Sequence, residues 1–128
     1  MATVEIRPRL RVFHGKEVAL GPGKADLLEA LGKCGSITRA ARSMGMSYMR
    51  AWTLIRTMNR CFKEPVVAAR RGGVHGGGAQ LTATGRRALA LYRRMEAQCR
   101  RAVGRDGQKV KGLLRATDSQ ARGARGRR

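Results

Sequence analysis

The stretch GSITRAARSMGMSYMRAWTLIRTMNRCF, residues 35–62, decides the fold. Ile37, Ala40, Ala41 and Met44 recur at i, i+3, i+4 and i+7, the inward stripe of a short amphipathic helix. Ser36 stands where an N-cap belongs, and Gly45 stops the helix. Ser47 can cap a second helix, in which Ala51, Ile55, Met58 and Phe62 repeat the spacing i, i+4, i+7, i+11 until Pro65 ends it. Two short helices joined by a glycine turn are a weak signal alone, because many bundles contain them.

The flanking sequence strengthens it. Upstream, Lys24–Lys33 places Leu27, Leu28 and Leu31 on one helical face, and Gly35 closes that helix. Before it, residues 4–20 alternate polar and apolar and predict two short strands around Phe13-His14-Gly15-Lys16, with Pro8 demoting the first part to an edge or lead-in. Downstream, a strand at 66–70 and a return strand at 80–82 enclose a tip in which five of the seven residues 72–78 are glycine. A long helix follows from Ala83 to about Val103. The order helix, turn, helix, glycine-tipped hairpin describes a winged helix-turn-helix, mainly α with small β elements. Residues 1–103 are expected to form this domain. Residues 104–128, rich in Gly and Arg, are expected to be a disordered basic tail, in which only Val110, Leu113 and Leu114 hint at a docking element.

Charge points to the partner. The 128 residues carry 28 Lys and Arg against 8 Asp and Glu, a net +20, and a polyanion is the first partner to consider. A GC-rich genome enriches Arg, Ala and Gly everywhere, but that bias would not by itself hold the acids to eight. Residues 36–63 contain Arg39, Arg42, Arg50, Arg56, Arg60 and Lys63 and no acid at all. In the second helix the face opposite the apolar stripe carries Met49, Thr53, Arg56 and Arg60, with Arg50 and Trp52 on the flanks. A merely solvated helix would mix charge signs for i,i+4 pairing. This one does not, which favours nucleic acid.

Other classes are excluded or weak. No apolar run is long enough to cross a membrane, and Met1–Phe13 lacks the apolar core of a secretory signal. Cys34, Cys61 and Cys99 are too far apart for a Cys-x-x-Cys pair and do not cluster with His14 or His75, so neither a disulfide framework nor a metal site is expected. Each cysteine is expected as a small buried hydrophobe in a reducing cytoplasm. No catalytic triad or carboxylate pair is present. The glycine run lacks the Lys-Ser/Thr of a phosphate loop, so no enzyme activity and no cofactor are expected.

The residues also carry a family likeness. Gly35-Ser36-Ile37-Thr38-Arg39-Ala40-Ala41, Gly45-Met46-Ser47-Tyr48-Met49-Arg50-Ala51-Trp52, and Met58-Asn59 together resemble the DNA-binding domain of the ModE-type, molybdate-responsive regulators. The likeness continues through Gly72-Gly73-x-x-Gly76-Gly77-Gly78-Ala79-x-Leu81-Thr82-x-x-Gly85 to Leu91-Tyr92, and covers about residues 20–95. Ser-Ile-x-x-Ala-Ala is more distantly similar to the lysR-type helix-turn-helix. The resemblance implies a homodimeric, sequence-specific regulator on an inverted repeat, in the bacterial cytoplasm or nucleoid. It also implies a stand-alone version of that first domain. Ser119-Gln120-Ala121-Arg122 does not match the family's molybdate motif, so direct molybdate sensing is not expected.

In such folds the second helix enters the major groove with its N-terminal residues first. Ser47 is then a phosphate contact, a cap, or both. Tyr48, Met49, Arg50 and Thr53 are candidates for bases or backbone, with half-buried packing the alternative for Tyr48. Arg56 and Arg60 are assigned to phosphates further along the helix, and Arg39 and Arg42 to the helix that crosses the backbone. Arg70, Arg71 and His75 are the candidates on the wing. Trp52 is expected to pack beneath it. Leu91, Tyr92, Met95 and Cys99 on the long helix form the candidate dimer stripe, which the resemblance favours over packing within one chain. The alternative to a sequence-specific regulator is a nucleoid-type or RNA-binding protein that uses charge alone.

Overall fold

A computed structural model describes residues 4–70 and 78–116. In chain order the elements are β1 (Val12–His14), β2 (Glu17–Leu20), α1 (Pro22–Cys34), α2 (Ile37–Ser43), α3 (Tyr48–Cys61), β3 (Val67–Arg70), β4 (Gly78–Leu81), α4 (Ala83–Ala102) and α5 (Gly104–Leu113). The fold is mainly α with two antiparallel hairpins, β1–β2 and β3–β4: a winged helix-turn-helix. Residues 9–95 make one compact unit, and the two chain ends, up to Pro8 and from Glu96, make another.

The core of the larger unit is assembled from the stripes that the sequence spacing marks out. Leu27, Leu28 and Leu31 of α1, Ala40 and Ala41 of α2, and Ala51, Ile55 and Met58 of α3 are all buried together. Alanines on both helices of the pair let the backbones approach closely, since burying a methyl demands little space. Two serines start these helices: Ser36 Oγ accepts from Arg39 N at 3.2 Å, and Ser47 Oγ from Arg50 N at 3.0 Å. Each satisfies one amide that the first turn leaves without a partner. Gly45, with φ of 67°, makes the sharp corner between α2 and α3, and Met46 N returns to Ala41 O at 3.0 Å.

The wing stem is regular, pairing Val67 with Leu81 and Arg70 with Gly78. Its base is clamped to the helices by backbone groups: Ala79 N donates to Gly35 O at 3.1 Å, and Thr82 N to Val66 O at 3.0 Å. Tyr92 of α4 is buried, and its hydroxyl donates to Leu10 O at 2.8 Å, which anchors the segment leading into β1.

Two expectations need correction. The alternation over Val4–Leu10 does not yield a strand: pairing begins only at Val12, opposite Leu20. Ile6, still partly exposed, instead touches Gly107, its Cδ1 lying where a Cβ on Gly107 would sit. The second concerns residues 104–113, expected as disordered tail, which form α5. Asp106 in its first turn and Lys111 in its last complement the helix dipole, and Gly107 is buried in contact with Ile6. Composition alone could not register that contact between the two chain ends.

Candidate nucleic-acid interface

The exposed side of α3 follows from the side it buries. With Ala51, Ile55 and Met58 inward, Tyr48, Met49, Arg50, Thr53 and Arg56 face outward, and Met49 is 64% exposed. An exposed methionine at the start of a helix is a poor choice for solubility and a good one for an adaptable apolar contact. Thr53 Oγ1 donates to Met49 O at 2.8 Å, so its hydroxyl hydrogen is spent on the helix and its methyl is left for contact. Ser47 acts as the cap, one of its two expected roles.

Trp52 and Arg56 act as a pair. The Arg56 guanidinium carbon lies 4.7 Å from the centre of the Trp52 ring, a stacking that holds the charge upright on α3. The ring itself is only partly covered, and it lines a cleft of about 550 Å³ between α3 and the wing stem. Ser36, Thr38, Tyr48, Arg56 and Arg70 supply the polar walls of that cleft. Packing beside the wing, expected for Trp52, is thus half of its role. Ser36 and Thr38 were not legible as lining residues, because they belong to the first helix of the pair.

Not every expected contact points the same way. Arg60, assigned to a phosphate, is ion-paired with Glu17 of β2 at 2.7 Å on the exposed surface. Arg39 lines a cleft with Asp26 and Glu29 of α1. Arg42 is exposed in the last turn of α2. The Arg70 guanidinium lies over Gly35, 3.2 Å from where a Cβ would be. Arg71 and His75 lie outside the described residues. Tyr92, assigned to the dimer stripe, is buried within its own unit, while Leu91 and Met95 remain exposed at 45% and 39%. Cys99 is half-buried, as are Cys34 and Cys61, and all three are free thiols rather than fully buried hydrophobes. Burial, followed by the neighbouring Glu17 carboxylate, pushes the Cys61 thiol above its ordinary pKa and keeps it protonated.

The acids explain why the interface stays positive. In residues 9–95 they are Glu17, Asp26, Glu29 and Glu64. Glu17 holds Arg60, Asp26 and Glu29 hold Arg93 at 2.8 and 3.6 Å, and Glu64 accepts from Thr84 at 2.8 Å. Among the described residues, Arg50 and Arg56 have no carboxylate partner.

One residue that the sequence offered only within the family likeness, with no role assigned, ties α3 to the start of the wing. Asn59 Oδ1 accepts from Val66 N at 2.8 Å and Val67 N at 3.3 Å, and its Nδ2 donates to Val67 O at 3.1 Å. The side chain stands in for a neighbouring strand at the start of β3. Asn59→Leu strands two amides and a carbonyl at a buried junction and is expected to cost about 2 kcal/mol, read as a lower urea midpoint.

Among the described residues no helix is long and apolar enough to cross a membrane, and no group of three His, Cys, Asp or Glu side chains could hold a metal ion. Comparison with known proteins agrees with the geometry. Residues 24–86 match the family described as bacterial regulatory helix-turn-helix protein, lysR family. Over 110 residues the chain is 44% identical to the molybdenum transport protein ModE of Azotobacter vinelandii, covering 86% of this chain and 41% of that protein. It is 45% identical over 78 residues to the molybdenum-pterin-binding protein MopB of Rhodobacter capsulatus, covering 61% and 29%. The DNA-binding transcriptional dual regulator ModE of Escherichia coli K12 is 39% identical over 71 residues, covering 56% and 27%. The chain therefore spans less than half the length of these relatives. Fold, outward face and relatives are in accord: residues 24–86 match the bacterial regulatory helix-turn-helix of the lysR family, in a chain similar to part of the ModE relatives.

Proposed function

We propose that the chain is a sequence-specific DNA-binding regulator of transcription that acts as a homodimer, without a catalytic step or a cofactor. The observation that carries this reading is the outward face of α3. Arg50 and Arg56 stand unpaired beside exposed Tyr48, Met49 and Thr53, while the acids of the same unit are engaged elsewhere. In this reading α3 lies in the major groove, with Tyr48, Met49, Arg50 and Thr53 toward base edges. Ser47, Arg42, Arg56 and Arg70 take the backbone, and Arg71 and His75 are further candidates for it. Arg39, exposed on α2, is a further backbone candidate, and Arg60 is ion-paired with Glu17 on the exposed surface. Exposed Leu91 and Met95, together with Cys99, join two copies, so that two α3 helices read half-sites about one helical turn apart. Direct molybdate binding forms no part of the proposal.

Selection from a pool of random duplexes tests it. The expected result is enrichment of an inverted repeat, bound about a thousand-fold or more tighter than random sequence at moderate salt. Mass photometry of that complex is expected to show two chains per duplex. If no motif emerges and binding follows charge alone, the protein is of the nucleoid type and the proposal fails.

A further inference from the structure

Three cations that the sequence left unassigned, Arg9, Arg11 and Lys24, gather beside Arg50. Arg9 and Arg11 come from the segment before β1, Lys24 from the first turn of α1, and Arg50 from the first turn of α3. These four line one cleft of about 270 Å³ whose remaining walls are apolar or glycine, with no acid among them. The fold builds this arrangement deliberately. Leu10 is turned inward, packed against the core with its carbonyl held by the Tyr92 hydroxyl. In an extended segment its neighbours Arg9 and Arg11 therefore share the opposite side, and both are exposed. The stem of Arg11 lies over Gly21, 3.6 Å from where a Cβ would be. The nearby acid, Glu17, is occupied by Arg60.

Like charges packed together cost stability unless an anion joins them. Lys24 has its pKa lowered from the ordinary lysine value chiefly by burial, with Arg50 adding a smaller lowering against the opposing pull of Cys61 and Glu17. The position of the cleft says which anion. Arg50 lies two residues before Trp52 on α3, about 200° around the helix, so this cleft and the Trp52–Arg56 cleft lie on opposite flanks. A helix in the major groove, about 12 Å wide, has a sugar-phosphate backbone on each side of it.

We propose that Arg9, Arg11 and Lys24, in the cleft beside Arg50, seat the DNA backbone on the flank of α3 away from the wing, extending the footprint beyond the helix-turn-helix. The inference rests on the regulator reading above, and it adds contacts that carry charge but no sequence information.

The test uses the full chain with Arg9→Gln, Arg11→Gln and Lys24→Gln together, on the selected duplex and on random duplex. Phosphate contacts release counterions, about 0.9 unit of log K against log salt for each phosphate neutralised. The variant is expected to lose about two to three units of slope per protomer on both duplexes, and about 10- to 100-fold in affinity near physiological salt. It is expected to select the same motif as the parent, and ethylation interference is expected to fade at phosphates flanking the half-site. Arg9→Lys with Arg11→Lys, which keeps the charge, retains the slope. Arg9→Gln with Arg11→Gln repeats the measurement without touching half-buried Lys24, should the triple variant melt early. A parent-like slope in either neutralised variant overturns the inference alone, as does a changed motif. A parent chain that binds no duplex overturns the inference and the regulator reading together.

Discussion

Replacing Arg50 with Glu is expected to abolish operator binding while leaving the protein at least as stable as before. The two effects separate because Arg50 serves the partner and not the fold. It is the third residue of α3, its amide donates to Ser47 Oγ at 3.0 Å, and its side chain is exposed. A carboxylate there completes a Ser-x-x-Glu capping box, complements the positive end of the helix dipole and relieves the repulsion with Lys24. Together these are worth about 0.5–1 kcal/mol of added stability. On DNA the same change removes a contact worth about 1–3 kcal/mol and sets a negative charge against a phosphate or base acceptor. The affinity is expected to fall more than about 100-fold per half-site. Fluorescence anisotropy on the selected duplex and a thermal melt of the free protein read the two halves. Undiminished affinity would remove Arg50 from the interface.

Gly85→Ala is expected to be the most damaging single substitution in the fold. A Cβ at this position would overlap the Val66 carbonyl oxygen, and the atoms in the way are backbone rather than a side chain that could rotate aside. That carbonyl is pinned by Thr82 N at 3.0 Å, and Thr82 Oγ1 ties both sides together by donating to Pro65 O at 2.6 Å and accepting from Gly85 N at 3.0 Å. The first turn of α4 would have to lift away from the strand start of the wing. Alanine gains about 1 kcal/mol of helix propensity over glycine, and the net loss is still expected to be about 3 kcal/mol. For a domain of this size that lowers the melting temperature by about 10–20 °C. The same exchange at Gly23 in α1 serves as the control. Nothing lies within 4 Å of its added Cβ, so it should be neutral or stabilising by about 0.5 kcal/mol. Equal losses at the two sites would refute the steric account.

The contrast between these glycines shows where sequence reading stops. Thr82-x-x-Gly85 is a visible motif, but the close approach that demands it links α4 to Val66, nineteen residues earlier. Asn59 is similar: as one polar residue near a helix end it carries no periodic signal, and its three hydrogen bonds exist only once β3 crosses it. The same holds for charge. Counting cations in residues 36–63 correctly marked the helix-turn-helix, yet it could not see Glu17 fold against Arg60 or Arg39 lie alongside Asp26 and Glu29.

By itself the sequence determined the order of the elements from β2 to α4, the inward stripes of α1, α2 and α3, the two serine caps and the outward face of α3. These are local properties, set by spacing along one helix and by hydrogen bonds three residues long, and so they can be read one residue after another. Only the tertiary structure decided which arginines stay free, that Tyr92 belongs to the core rather than to a dimer stripe, and that residues 104–113 are helical. It alone brought Arg9, Arg11 and Lys24 beside Arg50. Each of those outcomes depends on partners far apart in the chain. Coulomb pairing and steric contact act through space, so neither leaves a periodic trace along the sequence.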